Sequence, residues 1–515
     1  MKKVKIERTM EDVISSNNGL SLYLSNLSEG RKMTDHSWLY ERENSNDTLQ
    51  RWIPIMEAAN NKTPFAELFN SFDLKQVEKF GPQGGIPPID SEEVWEVIEP
   101  LYSPTVFDDA NALSKWWHKA EEFGKMLFGP TPCRAVPWPY ERVLVDMYKR
   151  DTLSTNSGYP RFTRRKKVQT MEVADARTGA HAIYPAIILF RYYYGKLRPV
   201  WMFPMSANLR EASFASPIQS ALRQSPIPWV RKYVTPWLGY DDVKRVMTEQ
   251  WTGQQVVSGD TTKMDAHMRL AQMTLVYHIV KFLFQKQYWE DLHSSLLHVC
   301  DIDLLWDRQT MIIGTHGLAS GSSWTQLSET VLQMFMAWCA GKEGQGIGDD
   351  FFWISTQTAE ELVAWLNEFG LPANAAKQTV AEDHVTFLQR LNRQGFMSRD
   401  DKSVLGAYYP TIRALGSMLM PEKFHDPKSW NSDMFCVRIF TILENCVDDP
   451  SFDDFVSFVV HGQKDLIPFA KKSSSEIDEA QKLARTVPGL FPNYNQEKLT
   501  RPLSTYTAIS IARKM

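Results

Sequence analysis

The pattern of apolar and polar positions along the chain predicts both helices and strands. Residues 183–205 are apolar, aromatic and β-branched with basic residues between them, which favours extended structure. One later segment has its apolar residues at the spacing of a helix face: Trp324, Leu327, Val331, Phe335 and Trp338. Between about residues 241 and 391 helices and short strands alternate, and after residue 400 the pattern is mainly helical. We therefore predict an α+β fold with a helical C-terminal unit.

The N-terminal segment is more polar than the rest. Residues 1 to about 60 include the Asn-rich run Asn44–Asp47, and we expect a loosely packed extension with short helices there. Clusters of Gly and Pro at 81–88 and 129–139 interrupt both regular periods and predict loops. The sequence contains no fixed-period repeat, so we expect one large body.

Composition narrows the class of protein. The chain has 515 residues, of which 43% are hydrophobic, and its formal net charge is −4. A global basic field is therefore absent, and a nucleic-acid partner would have to be held by local basic patches inside a groove. The five cysteines form no C-x-x-C pair, which excludes a dense disulfide framework and a cysteine-based zinc module. No apolar run reaches ~18 residues and no secretory pattern is evident, so we expect a reducing intracellular compartment and no membrane contact.

An acidic turn is the first candidate for chemistry. Gly348, Asp349 and Asp350 lie between two apolar segments, which predicts a β-hairpin with Gly at its tip. Two carboxylates at one tip repel each other unless a cation lies between them, which indicates a divalent metal site. Taken alone, these three residues are better explained as a solvated turn.

A second acidic segment precedes the hairpin. Residues 256–260 read as a short strand that ends in Asp260, and Asp265 follows about one turn later. Two-metal phosphoryl transfer needs carboxylates from separate elements, with the ions ~3.5–4 Å apart. Without the hairpin, a capped helix start would be the commoner interpretation of this spacing.

A Ser- and Gly-rich loop at 316–323 lies between the two acidic segments and leads into the helix of the apolar stripe. Its small residues, Ser320 and Gly321 among them, permit close backbone approach to a nucleotide, and the helix N-terminus that follows favours a phosphate. An ordinary Ser-capped amphipathic helix is the alternative.

The three segments, in this order and spacing, resemble motifs A, B and C of viral RNA-dependent RNA polymerases. Asn374–Lys377 is similar to motif D, Phe387–Arg390 to motif E, Arg191–Trp201 to motif F and Ser157–Pro160 to motif G. A basic surface strand and a solvated charge run are the alternatives for 191–201 and 164–167. Among these polymerases the motifs are most similar to those of picobirnaviruses, followed by partitiviruses.

The resemblance implies a role for each matching residue. Asp260 and Asp349 would be the principal metal ligands, with support from Asp350, and Lys377 would be the general acid. The implied substrate-binding residues are Asp265, Ser320, Gly321, Thr325, Arg191, Lys196 and Arg198. The implied template-binding residues are Ser157, Gly158, Pro160, Arg164 and Arg165. Many relatives have Asn where this chain has Glu329, and this departure places two acids near one ribose.

The resemblance also implies a closed right hand with fingers, palm and thumb, the palm being a small antiparallel sheet flanked by helices. The expected units are an N-terminal extension (1–64), fingers (65–240), palm (241–265), a fingers insertion (266–308), palm (309–395), and a helical thumb with a C-terminal tail (396–515).

A set of cofactors and partners follows from the same resemblance. The cofactors would be two Mg²⁺ or Mn²⁺ ions, and the partners a single-stranded RNA template, the nascent RNA duplex, NTPs and the viral capsid protein. A monomer in the virion interior and the host cytoplasm is expected. The alternatives are a reverse transcriptase, disfavoured by Gly-Asp-Asp in place of Tyr-x-Asp-Asp, and a non-catalytic RNA-binding, capsid-associated protein.

Overall fold

Three β-sheets organise the part of the chain that the computed structural model describes, which comprises residues 1–34, 36–129, 134–259, 261–422, 430–487 and 501–515. The strands are β1 (Lys2–Lys5), β2 (Ala186–Tyr193), β3 (Lys196–Met202), β4 (Val256–Gly259), β5 (Leu304–Leu305), β6 (Thr310–Ile313), β7 (Glu343–Ile347), β8 (Asp350–Ile354), β9 (Thr379–Ala381), β10 (His384–Phe387), β11 (Arg390–Met397) and β12 (Leu405–Tyr408).

Helices surround these sheets. In the N-terminal half they are α1 (Arg8–Ser16), α2 (Asn18–Glu29), α3 (Ser45–Asn60), α4 (Ala66–Leu74), α5 (Glu92–Tyr102), α6 (Trp117–Phe128), α7 (Tyr140–Lys149), α8 (Gln169–Thr178), α9 (Met205–Arg223), α10 (Pro228–Tyr233) and α11 (Tyr240–Gln250). The later helices are α12 (Met264–His267), α13 (Leu270–Val280), α14 (Trp289–His298), α15 (Thr325–Cys339), α16 (Ala359–Asn367), α17 (Thr411–Leu419), α18 (Ser432–Leu443), α19 (Phe452–Val460), α20 (Leu466–Ala470), α21 (Ser474–Ala484) and α22 (Thr507–Ala512). The predicted α+β class and the mainly helical region after residue 400 are confirmed.

The central sheet has the strand order β7-β8-β4-β9, and every pairing in it is antiparallel. Strand β4 is buried along its whole length, as are Phe351, Phe352 and Trp353 of β8. Strand β8 has an unbroken apolar run, Phe351–Ile354, which is the sequence signature of a strand covered on two faces, whereas the two valines of β4 are followed by the small residues Ser258 and Gly259. The small antiparallel sheet that the sequence analysis predicted around the acidic hairpin is thus present.

A second, five-stranded sheet contains the basic ribbon at 186–202. Strands β2 and β3 form a hairpin in which Tyr193 pairs with Lys196, and both connecting residues, Tyr194 and Gly195, have positive φ. Such a turn matches the twist of the flanking strands. The tip of the ribbon lies against α17, because the Tyr194 hydroxyl donates to the carbonyl of Arg413 at 2.9 Å and the Arg413 guanidinium lies 3.7 Å from the Tyr194 ring.

The N-terminal segment is more tightly integrated than expected. Strand β1 pairs with β6 at the edge of the five-stranded sheet, and Leu20 and Leu24 of α2 are buried in the main core. Trp52 of α3 lies instead in the core of the C-terminal helices, where its indole donates to Thr411 at 2.8 Å. The expectation of a loosely packed extension was wrong because the apolar positions of α2 and α3, although diluted by Asn and Ser, recur at helical spacing and pack on two different cores.

No helix of the described ranges is long and apolar enough to cross a membrane.

A buried carboxylate joins α4 to the C-terminal helices. Asp73 is fully buried and accepts hydrogen bonds from the Tyr408 hydroxyl at 2.8 Å and from the backbone N–H groups of Thr411 at 2.8 Å and Ile412 at 2.9 Å. It also accepts from the Thr411 hydroxyl at 2.7 Å. The carboxylate therefore caps the N-terminus of α17 from a segment more than 300 residues earlier in the chain.

We predict that Asp73→Ala lowers the thermal midpoint by about 5 °C, because it leaves several buried donors without an acceptor. Circular dichroism at 222 nm during heating measures this change. The exposed Asp12 offers the control, and Asp12→Ala should shift the midpoint by less than about 1 °C. Equal midpoints for the two variants would contradict the capping role.

Candidate active site

The acidic hairpin has the geometry that its sequence predicts. Ile347 pairs with Asp350 across the strands, so Gly348 and Asp349 form a two-residue connection in which Gly348 has φ +59°. A side chain would be strained at that backbone conformation, which explains the glycine. Asp349 is exposed at the tip, whereas Asp350 is half-buried at the start of β8.

Helix α15 fixes the tip of the hairpin through two hydrogen bonds to Gly348. The Gly348 N–H donates to the Thr330 hydroxyl at 2.8 Å, and the Gln333 amide donates to the Gly348 carbonyl at 3.2 Å. Thr330 and Gln333 are buried and lie three residues apart, so they share one face of the helix. Both backbone polar groups of the turn glycine are thereby satisfied by one helix.

The two aspartates of the hairpin have different surroundings. One carboxylate oxygen of Asp350 accepts the backbone N–H of Leu388 at 3.0 Å. Leu388 and Gln389 both have positive φ and form the tight turn between β10 and β11. Asp350 thus connects the hairpin to the segment that resembles motif E, while Asp349 lies at the tip.

The first acidic segment is described only on either side of its central acid. Strand β4 ends at Gly259, opposite Phe351 of β8, and Thr261 pairs with Ala373. A Cβ atom at Gly259 would lie 2.1 Å from the Phe351 ring, so the close approach of the strands requires glycine there. Asp260, the predicted metal ligand, lies outside the described residues.

Asp265 and Glu329 form a hydrogen-bonded carboxyl pair beside the hairpin. Burial raises the pKa of Asp265 to about 6; the charge of Asp349 acts in the same direction, while the bond to Glu329 and the charge of Arg198 oppose it. Burial, together with the charges of Asp265 and Asp349, raises the pKa of Glu329 well above its usual range. Because two carboxyl groups can bond only when one is protonated, we assign the proton to Glu329. The departure noted in the sequence is thus a paired acid next to Asp265.

The loop before α15 is held against the basic ribbon. We call Ser320–Ser323 the serine loop. The Trp201 N–H of β3 donates to the Ser320 carbonyl at 2.7 Å, and a Cβ at Gly321, which has φ +112°, would lie 2.2 Å from the Trp201 carbonyl. Farther along, the Thr325 hydroxyl donates to the Ala319 carbonyl at 3.0 Å, so its side chain closes the loop from the helix side.

The three basic residues predicted to bind the triphosphate of the NTP have different surroundings on the ribbon. Lys196 and Arg198 are exposed on β3, and the positive charge of Arg198 lowers the pKa of Asp265. Arg191 instead forms a two-point ion pair with Glu422, at 2.6 and 2.7 Å, just beyond α17. The structure therefore brings Arg198 to the acidic cluster and directs Arg191 towards the C-terminal helices.

The segment that resembles motif G forms a tight loop against the start of α9. Ser157 is fully buried and its carbonyl accepts the Met205 N–H at 2.8 Å, while a Cβ at Gly158 would lie 2.5 Å from the Phe203 carbonyl. Pro160 is half-buried at the outer end of this loop.

The basic run that follows divides into exposed and internal members. Arg164 is exposed. Arg165 is turned inwards, where its guanidinium donates to the Asn156 carbonyl at 3.1 Å and to the Asn208 side chain at 2.7 Å. In this structure Arg165 therefore makes protein contacts.

The segment that resembles motif D is a short 3-10 turn, Ala375–Lys377, next to the edge strand β9 of the central sheet. Asn374 caps this turn by accepting the Ala376 N–H at 2.9 Å. The Lys377 side chain is exposed.

Several residues that shape the site were not predicted from the sequence, although they share a signal that could have revealed them. Thr330 and Gln333 interrupt the apolar face of α15, and Glu211 is the one carboxylate of the Ala- and Ser-rich helix α9, where it lies among buried residues. A polar residue in a buried helix needs a partner, so it points to a specific contact. Which partner it contacts could not be read from the pattern.

The donors around the tip suit a hard divalent cation. Mg²⁺ and Mn²⁺ prefer carboxylate oxygens, and Asp349 and Asp350 supply them beside Asp265. The charge of Asp349 raises the pKa of Asp265, and both acids raise the pKa of Glu329, so negative charge accumulates at this point and a bound cation would relieve it. Within the described ranges no three His, Cys, Asp or Glu side chains are grouped as a complete metal site.

Comparison with known proteins relates this site to polymerases of double-stranded RNA viruses. No protein-family profile matches the chain. A potential RNA-dependent RNA polymerase of human picobirnavirus (strain Human/Thailand/Hy005102/-) is 25% identical over 480 residues, which cover 87% of this chain and 86% of that protein. An RNA-directed RNA polymerase of Cryptosporidium parvum virus 1 (strain KSU-1) is 26% identical over 144 residues, 27% of this chain and 26% of the relative.

Solved structures extend the similarity to the whole fold. The crystal structure of the RNA-dependent RNA polymerase of a human picobirnavirus matches with a TM-score of 0.79 and 20% identity, over 99% of this chain and all of the other. An insertion-loop deletion mutant of such a polymerase matches with a TM-score of 0.75 and 21% identity, over the same shares. The chain thus has the fold of a viral RNA-dependent RNA polymerase, and the resemblance to picobirnavirus polymerases that its motifs indicated is confirmed.

Proposed function

We propose that this chain is the RNA-directed RNA polymerase of a double-stranded RNA virus. The observation that carries the proposal is the position of Asp349 at a hairpin tip beside Asp265, within a fold shared with a picobirnavirus polymerase. The reaction is template-directed transfer of a nucleoside monophosphate from an NTP to an RNA 3′-hydroxyl with release of pyrophosphate. Its biological role is transcription and replication of the viral genome.

The chain's residues would act as follows. Asp260, Asp349 and Asp350 would hold two Mg²⁺ or Mn²⁺ ions, which when bound stabilise charge on the transferring phosphoryl group. Asp349, at the hairpin tip, would be the principal ligand, and Asp350, whose carboxylate also accepts the Leu388 N–H, would support it. Lys377 would protonate the departing pyrophosphate.

Substrate selection falls to residues around the carboxyl pair. Asp265 would accept a hydrogen bond from the ribose 2′-hydroxyl, since its partner Glu329 holds the carboxylate in place. Ser320, Gly321 and Thr325 would adjust to the template base pair. Lys196 and Arg198 would bind the triphosphate, while Arg191 would do so only after leaving its pair with Glu422.

We also propose a closed right-hand architecture for the chain. Three features support a closed hand: the ribbon tip contacts α17, Arg191 pairs with Glu422, and the N-terminal segment packs in both cores. The proposed units are the N-terminal extension (1–64), fingers (65–240), palm (241–265), fingers insertion (266–308), palm (309–395), and thumb with C-terminal tail (396–515). Template RNA would follow Ser157, Gly158, Pro160 and Arg164, and leave with the nascent strand as a duplex. Arg165 would contact RNA only after leaving its bonds to Asn156 and Asn208 and would otherwise support this path from within. We expect a monomer that contacts capsid protein and works in the virion interior and the host cytoplasm.

We predict that Asp349→Ala abolishes template-length product. Labelled NTP is supplied with a single-stranded RNA template, with Mg²⁺ or Mn²⁺, and with or without primer. The matched control is Asp400→Ala, which removes an exposed acid from another Asp-Asp pair and should leave product at the wild-type level. A dNTP-dependent product would favour the reverse transcriptase, and RNA binding without incorporation by the wild type would favour the non-catalytic alternative.

We predict that Asp265→Ala lowers discrimination between rNTP and dNTP at least about tenfold, because the 2′-hydroxyl loses its acceptor. Single-nucleotide incorporation with each substrate gives the ratio of kcat/KM values. Asp265→Asn keeps an acceptor oxygen and should retain part of the discrimination. An unchanged ratio in Asp265→Ala would show that Asp265 does not recognise the ribose 2′-hydroxyl.

We predict that Lys377→Ala slows incorporation at saturating NTP by about 10²-fold while it leaves NTP binding unchanged, because proton transfer contributes to the chemical step alone. Single-turnover quench-flow separates the two quantities. Lys377→Arg keeps the positive charge but is a far weaker acid, so it should be nearly as slow. Full activity of the Arg variant would show that charge, and not the proton, matters.

A further inference from the structure

Glu211 is a buried carboxylate that is not among the residues proposed to bind metal, NTP or template. It lies in α9, only 2% of its surface is exposed, and residues such as Ala212, Phe214 and Ala215 surround it on the same helix. Burial raises the pKa of Glu211 to about 7, which measures how unfavourable its charge is at this position. A carboxylate at such a position needs specific partners.

The first partner of Glu211 is the serine loop. One carboxylate oxygen accepts the Ser323 N–H at 2.9 Å, just before α15 begins at Thr325. The other end of the loop is held by the Trp201 N–H, which donates to the Ser320 carbonyl. The loop is therefore fixed at both ends by neighbouring elements, and only Gly321 and Ser322 lie between the two fixed points.

The second partner leads to the segment that resembles motif G. The same oxygen of Glu211 accepts a hydrogen bond from the side-chain NH₂ of Asn208 at 3.0 Å. The side-chain oxygen of Asn208 in turn accepts a hydrogen bond from the Arg165 guanidinium at 2.7 Å. Arg165 in turn donates to the Asn156 carbonyl. A continuous chain of hydrogen bonds thus runs from residue 156 through Arg165, Asn208 and Glu211 to the serine loop.

We propose that Glu211 is a positioning residue that holds the serine loop in its nucleotide-binding conformation and couples it to the 156–165 segment on the template path. The inference rests on the proposed polymerase function and adds a residue to it. A carboxylate suits both tasks, because it accepts two donors at one oxygen and its charge opposes that of Arg165. The loop senses template occupancy only as long as this chain is intact.

The consequence for catalysis follows from the population of the competent loop. Without the Glu211 acceptor, the half-buried Ser323 N–H loses its partner and the loop adopts other conformations. The apparent affinity for NTP then falls by the fraction of molecules that keep the competent loop. The effect should therefore appear in KM for NTP more than in kcat.

Two measurements test the proposal on Glu211→Gln and Glu211→Ala in the full chain. Hydrogen exchange of the peptide that covers residues 320–325 should be at least about tenfold faster in the Ala variant than in the wild type. The KM for NTP should rise about tenfold in Glu211→Ala and less in Glu211→Gln, which keeps one acceptor oxygen for Ser323. Should the Ala variant fail to fold, the Gln variant carries the test.

Glu444 provides the matched control, because it is another buried carboxylate that accepts two backbone N–H groups, those of Thr507 at 2.9 Å and Ala508 at 3.0 Å. Glu444→Gln should accelerate exchange at 505–510 and leave both the 320–325 peptide and the KM unchanged.

Two outcomes have separate meanings. Unchanged exchange at 320–325 and an unchanged KM in a folded Glu211 variant would overturn the positioning role. Absence of incorporation by the wild type would count against the polymerase itself, while the exchange measurement would still decide whether Glu211 holds the loop.

Discussion

Repulsion between carboxylates is the constraint on which the organisation of this site depends. Asp265, Glu329 and Asp349 come together from α12, α15 and the hairpin tip. On top of burial, the charge of Asp349 raises the pKa of Asp265, and the charges of Asp265 and Asp349 raise the pKa of Glu329. Such a cluster persists only if the surrounding fold holds each acid rigidly. The Thr330 and Gln333 contacts to Gly348, the Leu388 contact to Asp350 and the bond within the Asp265–Glu329 pair all serve this purpose.

Rigid placement of the acids depends in turn on elements far away in the sequence. The central sheet is narrow, with four short strands, and receives support from helices that belong to a core extending from the N-terminal residues to beyond residue 360. The C-terminal helices form a second core, into which Trp52 is inserted. The N-terminal segment joins the two cores, because α2 packs in the first and α3 in the second. The basic ribbon also joins them, because its tip donates a hydrogen bond to the Arg413 carbonyl of α17.

Local features of this chain were predictable because their causes are local. The acidic hairpin, the buried strand before residue 260 and the basic ribbon follow from glycine placement and apolar runs within ten residues, and the structure contains all three. The packing of residues 1–60 and the inward turn of Arg165 were not predictable, because their partners lie 40 to more than 300 residues away. The order of the motifs supplied the fold where the individual patterns could not.

The unequal surroundings of paired residues explain why residue type alone does not assign a role here. Asp349 and Asp350 are neighbours in sequence, yet one lies exposed at the tip and the other holds the turn at Leu388. Arg191 and Arg198 are paired across the ribbon, yet Arg191 forms an ion pair with Glu422, whereas the charge of Arg198 lowers the pKa of Asp265. In both pairs tertiary packing gives two residues of the same type different surroundings, so a role has to be argued from the contacts of each residue and not from its type.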